Sequence, residues 1–200
     1  MQREELEEFH YISPIANVLS ILKHGILSNR LAKKYEHKSC ASQEIQQRRE
    51  NVILPNGKNL HDYANLYFNA RNPMMHLLKD THHDLVVISV SIAILDIQEV
   101  IISDQNASRD YTLFKPAPEG LKMLDKTLVF AEYWTHPDPI KRHEHKGIMC
   151  AEILVPDKID ASYIQKFYVS CNNSQEILTE MLTSIKNDLE VIVNGSMFFH

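Results

Sequence analysis

Hydrophobic and polar positions along the chain predict helices first and strands later. Ser13 followed by Pro14 predicts a helix start, because a hydroxyl caps a first turn and proline suits the first helical position. Gly25 supplies the stop. The apolar positions that recur at helical spacing between them are Ile15, Val18, Leu19 and Leu22. A polar helix is predicted over residues 42–50, and a short helix over residues 73–78.

Beyond His83 the pattern changes to runs rich in β-branched residues, which are typical of buried strands. Helices in the N-terminal third followed by strands predict an α+β fold with a mixed or largely antiparallel sheet. The predicted strands cover residues 85–92, 100–102, 147–155, 164–170 and 189–193. An amphipathic helix between the last two is predicted from Ile177, Met181, Leu182 and Ile185.

Residues 108–146 show weak periodicity and hold four prolines. A structureless stretch of that length inside a compact domain is either functional or a misread helix or strand. Both interpretations stay open on the pattern alone.

Length and composition indicate one ordinary globular domain spanning residues 1–200. Apolar residues make up 44% of the chain, which is enough for a normal hydrophobic core. The polar, acidic start and the lack of a long apolar run lead us to expect a cytoplasmic protein. The net charge of −5 argues against general attraction to nucleic acid but leaves room for local basic surfaces, over residues 30–49 and 141–146.

Cysteine and histidine spacing gives no support for a metal site. The three cysteines are far apart, at positions 40, 150 and 171, and are expected to be reduced thiols. The histidine pairs at 82–83 and at 143 and 145 lack the spacing of a helical metal motif. No glycine-rich nucleotide loop and no GxSxG motif is present. We therefore expect no metal cofactor.

Two charged positions carry candidate chemistry. Glu152 lies in the apolar segment IMCAEILVP, where a buried acid needs a partner. Periodicity alone favours a strand-end acid that reaches solvent; the alternative is a carboxylate that fixes a substrate hydroxyl or a developing cation. Arg48 and Arg49 would point about 100° apart on a helix, so at most one faces a cleft. There it could bind phosphate or carboxylate in a bidentate way, whereas an ordinary surface helix remains the simpler interpretation.

Five segments, in this order, resemble the DarT family of bacterial DNA ADP-ribosyltransferase toxins: YISPIANVLSILKHGILS, IQQRR, LHDYANLYFNARNPMM, SDQNA and MCAEILVP. The resemblance runs along almost the whole chain. It implies the PARP-like ADP-ribosyltransferase fold, a split sheet with NAD+ bound in a cleft. It also implies transfer of ADP-ribose from NAD+, as co-substrate, to a base of single-stranded DNA. The implied partner is a macrodomain antitoxin of the DarG type, which removes the ADP-ribose.

The same resemblance assigns roles to individual residues. It implies that Glu152 is the catalytic glutamate and that Arg49 is the active-site arginine, which also contacts NAD+. It implies further NAD+ contacts from Tyr11, Ser13, Tyr67 and Phe68. It implies DNA contacts from Arg71, Met74, Asn106, Trp134, Lys141 and Arg142, the last three of which lie in a substrate-recognition loop over residues 134–146. Aromatic stacking beside basic side chains suits a single strand.

The modified base and the substrate class have alternatives. Thymine-modifying members typically carry His-Ile-Thr where this chain has Tyr11-Ile12-Ser13, and tend to have histidine at the place of Asn106. These differences favour the guanine-modifying branch, with thymine as the alternative. The other candidates are a transferase acting on protein or RNA, a non-catalytic nucleic-acid-binding module, and an interaction domain. If Glu152 is catalytic, its replacement by alanine is expected to abolish modification at little cost in stability.

Overall fold

The computed structural model describes all residues, 1–200, and is built around one large mixed sheet. The ten strands are β1 (Glu8–Pro14), β2 (Ile26–Leu27), β3 (Tyr63–Tyr67), β4 (Leu85–Ser91), β5 (Ile101–Ser103), β6 (Phe114–Pro116), β7 (Glu152–Pro156), β8 (Lys158–Ile159), β9 (Ile164–Val169) and β10 (Glu190–Val193). Eight of them form a sheet in the order β10-β9-β4-β1-β3-β7-β5-β6, and β2 pairs with β8. Every neighbouring pair is antiparallel except β9 and β10. The predicted α+β class with a mixed sheet is confirmed.

The helices are distributed along the whole chain. They are α1 (Val18–His24), α2 (Asn29–Ala32), α3 (Gln43–Glu50), α4 (Pro73–Leu77), α5 (Lys126–Val129), α6 (Pro139–Ile148) and α7 (Asn172–Ser184). The two longest, α6 and α7, lie in the last third, contrary to the expected concentration near the N-terminus. The periodicity missed α6 because that helix buries only Gly147 and carries just two large apolar residues, Ile140 and Ile148. None of the helices has the length and apolar character needed to cross a membrane.

The first predicted helix starts later than the pattern indicated. Ser13 and Pro14 end strand β1, and Ser13 pairs with Val86 of β4. The Ser13 hydroxyl donates to the Pro14 carbonyl at 3.3 Å and caps no helix. A short 3-10 turn follows and leads into α1. Pairing with β4 overrides the local capping preference, whereas the predicted stop is confirmed, since Gly25 ends α1 with φ +87°.

Two apolar patterns are corrected by the structure. The strand predicted over residues 147–155 begins only at Glu152, because Gly147 still belongs to α6 and its carbonyl accepts from the Cys150 amide. In α7 the buried positions are Leu178 and Leu182, while Ile177 is exposed. The late start of β7 matters most, since it places Glu152 at the very end of a strand.

The large sheet is split between β1 and β3, which pair only at His10 and Tyr67. A row of polar side chains crosses the split in register on six strands, formed by Lys166, Ser89, His10, Tyr67, Glu152 and Ser103. The main hydrophobic core is a cluster of 28 buried residues, with smaller clusters of 10 and 6 residues elsewhere. The split sheet therefore provides a polar seam inside an otherwise apolar interior.

Glu8 anchors one end of this seam. Its carboxylate accepts from Ser89 Oγ at 2.5 Å and from Tyr168 Oη at 2.8 Å, and it lies 3.3 Å from His10 Nε2. The other ring nitrogen of His10 lies 3.1 Å from the Phe68 carbonyl, so the network reaches across the split. Burial raises the pKa of Glu8, but the hydrogen bonds from His10, Ser89 and Tyr168 outweigh it and lower the pKa to about 2.

The Glu8 network predicts an acid-sensitive contribution to stability. Because the pKa of Glu8 is about 2 when folded and 4.5 ordinarily, its contribution is fully present above pH 4.5 and is lost as pH falls toward 2. We expect this group to account for about 3 kcal/mol across that window, and Glu8→Gln to remove most of it. Urea unfolding between pH 2.5 and 6 checks this, with the exposed Glu180→Gln as control. Equal pH dependence in wild type and Glu8→Gln would contradict the network.

Two glycines with similar positive φ angles provide a second test of the fold. Gly25 has φ +87° and Gly57 has φ +82°. A Cβ at Gly25 would collide with the Ile159 carbonyl, whereas none of the surrounding atoms comes within 4 Å of a Cβ at Gly57. We expect Gly57→Ala to cost about 1 kcal/mol of unfolding free energy for its backbone angle. Gly25→Ala is expected to cost about 2–4 kcal/mol, because Gly25 combines φ +87° with ψ 176°, a region open essentially only to glycine, and because the collision with Ile159 adds overpacking. Chemical denaturation of both variants compares them, and equal losses would refute the predicted close approach.

Candidate active site

The centre of the site is a buried ion pair between Arg49 and Glu152. Arg49 is the only buried residue of α3, and Glu152 is the first residue of β7. Arg49 Nη1 donates to Oε1 and Nη2 donates to Oε2, each at 3.0 Å. The two side chains are 7% and 0% exposed. Parallel bidentate geometry is the strongest form of this pair. The solvent-facing interpretation of Glu152 is therefore wrong, and of the two neighbouring arginines only Arg49 faces inward, while Arg48 pairs with Glu44 at the surface.

The end of β5 and the loop that follows it also hold Glu152. The Ala107 amide donates to Glu152 Oε1 at 2.9 Å, and the Glu152 amide donates to Ser103 Oγ at 3.1 Å. Oε1 thus accepts two hydrogen bonds and Oε2 only one, which leaves acceptor capacity on Oε2. Sequence reasoning missed Ala107 and Ser103, although the SDQNA motif contains both. A backbone donor leaves no trace in residue type, so only the motif itself could have indicated it.

Electrostatics favour the charged form of Arg49 and the neutral form of the neighbouring Tyr67 phenol. Burial lowers the pKa of Arg49, but the charge and hydrogen bonds of Glu152 outweigh burial, so that the pKa is raised above its ordinary value. Burial, and then the negative charge of Glu152, raise the pKa of Tyr67 well above its usual range. Tyr67 stands beside Glu152 in register, and its neutral hydroxyl donates to Met74 Sδ at 3.1 Å.

The first-strand residues lie on the edge of this centre. Tyr11 is half-buried, and burial, followed by the nearby Cys40 thiol, raises the pKa of Tyr11 to about 12. Cys40 also contributes to the raised pKa of Tyr67, so this cysteine lies near both phenols. Ser13 is buried, and its hydroxyl oxygen lies 3.3 Å from the Asn17 side-chain amide. Cys40 is a neighbour of the site that the sequence analysis treated only as a reduced thiol.

Phe68 does not belong to the site. It was expected to line the nicotinamide pocket with Tyr67, but its side chain is fully buried in the main core, edge-on to Phe9 at 5.4 Å between ring centroids. Successive residues at a strand end point to opposite faces, so Tyr67 and Phe68 cannot both line one pocket here. The structure corrects this assignment.

Two residues expected to contact DNA are engaged within the protein. Arg71 donates to the carbonyls of Ser196 and Phe198, and its guanidinium lies 3.9 Å from the centroid of the Phe199 ring. Trp134 is half-buried and packs edge-on against Phe199, with 5.9 Å between ring centroids. Arg71 is thus held by the last residues of the chain rather than free to bind a phosphate.

The remaining expected DNA contacts lie in the loop after β5, on α6 and on α4. The Asn106 side-chain oxygen accepts from the Ser108 amide at 2.9 Å and from the Ser108 hydroxyl at 2.7 Å, which shapes the loop after β5. Lys141 and Arg142 are exposed on α6. These two cations are available to a phosphate backbone, whereas Asn106 is committed to its own loop. Met74, which was also expected to face DNA, is half-buried against the second cluster.

His61 is a buried polar residue near the ion pair whose role the sequence left open. It is 7% exposed, and its Nε2 has no hydrogen-bond partner. Burial, and then the positive charge of Arg49, lower the pKa of His61. A buried nitrogen without a partner is costly and is therefore available to a polar atom of a ligand. The structure contains no group of three or more His, Cys, Asp or Glu side chains arranged to hold a metal ion.

Comparison with protein families identifies the chain. The family model described as ssDNA thymidine ADP-ribosyltransferase, DarT, matches residues 10–199. A DNA ADP-ribosyl transferase–DNA ADP-ribosyl glycohydrolase fusion protein of Thermosipho africanus is 32% identical over 200 residues, covering 96% of this chain and 49% of the fusion protein. A DNA ADP-ribosyl transferase of Thermus aquaticus is 27% identical over 159 residues, covering 74% of this chain and 68% of that protein. The chain thus spans about half the length of the fusion protein.

Solved structures support the fold. Thermosipho africanus DarTG in complex with ADP-ribose has a TM-score of 0.83 at 29% identity, covering 97% of this chain and 51% of that one. Thermus sp. 2.9 DarT in complex with ADP-ribosylated ssDNA has a TM-score of 0.86 at 22% identity, covering 100% and 99%. The same protein in complex with NAD+ has a TM-score of 0.81 at 21% identity, covering 98% of each chain. The ADP-ribosyltransferase fold expected from the sequence is confirmed.

The buried pair predicts a large stability cost for single substitutions. The sequence-based expectation of a small cost assumed an open cleft, but Glu152→Ala would leave Arg49 buried without its counter-charge. We expect Glu152→Ala to lower the unfolding free energy by about 3–5 kcal/mol, as is usual when one partner of a buried pair is removed. The double variant Arg49→Met, Glu152→Met is expected to recover most of that loss. Urea denaturation at pH 7 compares them, and a loss below about 1 kcal/mol in Glu152→Ala would contradict the burial of the pair.

Proposed function

The chain belongs to the DarT family, and on that premise we propose that it transfers ADP-ribose from NAD+ to a base of single-stranded DNA. The observation that carries the proposal is the Glu152 carboxylate, which Arg49 and the Ala107 amide hold in one orientation. Two protein charges with no exposed role are costly to fold. The cost of burying Arg49 and Glu152 is explained if the reaction requires a carboxylate that is held in one orientation.

The chemistry of the transfer suits this carboxylate. Breaking the bond between ribose C1′ and the nicotinamide nitrogen sends the electron pair to nicotinamide and builds positive charge on the ribose. A preorganised carboxylate near that charge stabilises the transition state. Glu152 Oε2 has the acceptor capacity to take a hydrogen bond from a ribose hydroxyl. The DNA base then forms the new bond to C1′ and loses a proton, so that one ADP-ribose is gained and one nicotinamide released.

NAD+ has to reach a carboxylate that is closed off in this structure. Glu152 is fully buried, and Arg49 is the residue that covers it. Since Arg49 is also the only buried residue of α3, a shift of this helix would uncover the carboxylate with little loss of other packing. We assign to Arg49 the role of covering Glu152 before binding and of meeting the negative charge of NAD+ afterwards. Tyr11, Ser13, Tyr67 and the unpartnered His61 are the other proposed NAD+ contacts.

A single-stranded substrate fits the demands of the reaction. The target base must leave its stack to reach the ribose C1′, and this costs least in a single strand. Lys141 and Arg142 are exposed on α6 and provide phosphate contacts near the site. Arg71, Met74, Asn106 and Trp134 remain proposed DNA contacts only if the strand displaces the interactions that now occupy them.

We propose guanine as the modified base, on the Tyr11-Ile12-Ser13 segment and on Asn106, where thymine-modifying members typically differ. The description of the matching family model names thymidine instead. Thymine is therefore the second outcome that an experiment on the base must distinguish.

The fusion relative suggests the partner. In that Thermosipho africanus protein a DNA ADP-ribosyl transferase is joined to a DNA ADP-ribosyl glycohydrolase. We propose that residues 1–200 form a single transferase domain that acts as a toxin, and that a macrodomain antitoxin reverses its modification. A cytoplasmic location belongs to the same proposal, since NAD+ and replicating DNA meet there.

Mass spectrometry of short oligonucleotides incubated with the protein and NAD+ tests the proposal. One set lacks guanine and another lacks thymine. We expect a mass gain of one ADP-ribose on guanine-containing strands, and a loss of turnover of at least about 100-fold in Glu152→Gln, because an amide cannot supply the negative charge. Glu180→Gln serves as the matched surface control, and circular dichroism verifies folding.

The other outcomes each point elsewhere. Modification of strands that lack guanine would move the chain to the thymine branch. NAD+ consumption without a gain on DNA would indicate a protein or RNA target. DNA binding without NAD+ consumption would indicate a non-catalytic module and refute the proposed function.

A further inference from the structure

A groove of about 500 Å³ lies between the loop after β5 and helix α6, and it has no role in the proposed transfer. One wall is the loop over residues 104–113, which contributes Gln105, Arg109 and Tyr111. The other wall is one face of α6, where the lining positions 140, 143 and 144 recur at helical spacing. The loop is the same one whose Ala107 amide holds Glu152, so the groove and the catalytic carboxylate share a support.

Contacts between the two walls make the groove a fixed feature. Arg109 Nη1 donates to the His143 carbonyl at 2.7 Å. The Arg109 guanidinium lies against Gly147 of α6 so closely that a Cβ at this glycine would collide with it. The loop is therefore docked on the helix through Arg109, whose guanidinium packs directly on the backbone of Gly147.

Tyr111 is presented to solvent at the edge of this groove. It is 96% exposed and has φ +63°, a left-handed conformation that few residues other than glycine adopt. Hydrogen bonds within the loop fix it there: Thr112 Oγ1 donates to the Asn106 carbonyl at 3.0 Å, and the Leu113 amide donates to Asp104 at 2.9 Å. An exposed aromatic ring on a backbone held in this way offers a stacking surface to a base.

The charges of the groove select a base rather than a phosphate. Arg109 is opposed by the carboxylates of Asp110 and Glu144, which also line the groove. Phosphates are bound by basic side chains, and this mixture would repel them. It does match the edge of a base, which carries both donors and acceptors. Lys141 and Arg142 do not line the groove, because they lie about 100° and 200° around the axis of α6 from Ile140. From there they can contact the phosphate backbone of the same DNA strand.

We propose that this groove binds an unpaired base of the DNA strand that carries the target base, with Tyr111 stacking on it. The proposal rests on the proposed function and adds a context-reading subsite to it. The nucleotide bound in the groove lies near the modified one, because Gln105 and Arg109 are two residues before and after Ala107 in the sequence. The Ala107 amide in turn contacts Glu152.

A scan with abasic positions tests the subsite. Oligonucleotides with one modifiable base carry a single abasic position at each flanking site in turn. We expect one flanking position to raise the KM of the wild type about tenfold when abasic, in line with the loss of one stacked base. Tyr111→Ala should raise the KM for the intact strand by a similar factor, leave kcat unchanged, and lose sensitivity to that position. Tyr111→Phe, which keeps the ring, should behave as wild type.

Leu113→Ala is the control, because Leu113 is exposed in the same loop and does not line the groove. Fluorescence anisotropy with the same strands measures binding independently of turnover, so that a failure of the proposed function leaves the subsite testable. If Tyr111→Ala keeps the wild-type profile over all abasic positions, in binding as in KM, the subsite proposal is wrong.

Discussion

The structure depends on the cost of burying two opposite charges, those of Arg49 and Glu152. Each charge loses several kcal/mol of hydration, and only good geometry and further hydrogen bonds repay it. The bidentate pair and the Ala107 amide supply both. As a result, three segments far apart in sequence are tied to one carboxylate: helix α3, strand β7 and the loop after β5. The pair therefore organises the site before any substrate arrives.

The split sheet makes such a pair possible. Continuous pairing between β1 and β3 would fill this part of the interior with backbone hydrogen bonds and apolar side chains. These strands instead pair only at His10 and Tyr67. Polar residues on neighbouring strands then line up beside the split, and Glu152 and Ser103 stand opposite each other at strand ends. Strand ends leave backbone and loop groups free to surround a ligand. The fold thus supplies a place for a fixed carboxylate, and the loops around it supply recognition.

Apolar runs rich in β-branched residues predicted β4, β5, β9 and β10, because buried strands favour such residues. Helices α3 and α4 were predicted from a polar segment and from Pro73, and the pattern missed β1 and β3. It failed at α6, which exposes most of its surface, and at residues 147–151, where an apolar run is helix end and turn. Glu152 and Arg49 were found through the family motifs, since periodicity alone favoured a solvent-facing acid. Phe68 was assigned wrongly because a motif does not state which face a side chain takes. The contact from the Ala107 amide could not be predicted, because every residue except proline carries a backbone donor.

The central claim is that Arg49 and the Ala107 amide orient Glu152 before binding, and that Glu152 then meets the ribose of NAD+ as Arg49 moves away. A crystal structure of the chain with a non-cleavable NAD+ analogue tests it most directly. We predict that in this complex Glu152 Oε2 lies within about 3 Å of a ribose hydroxyl and that α3 has shifted to admit the ligand. An analogue bound with its ribose away from Glu152, and with the Arg49–Glu152 pair still closed, would contradict it.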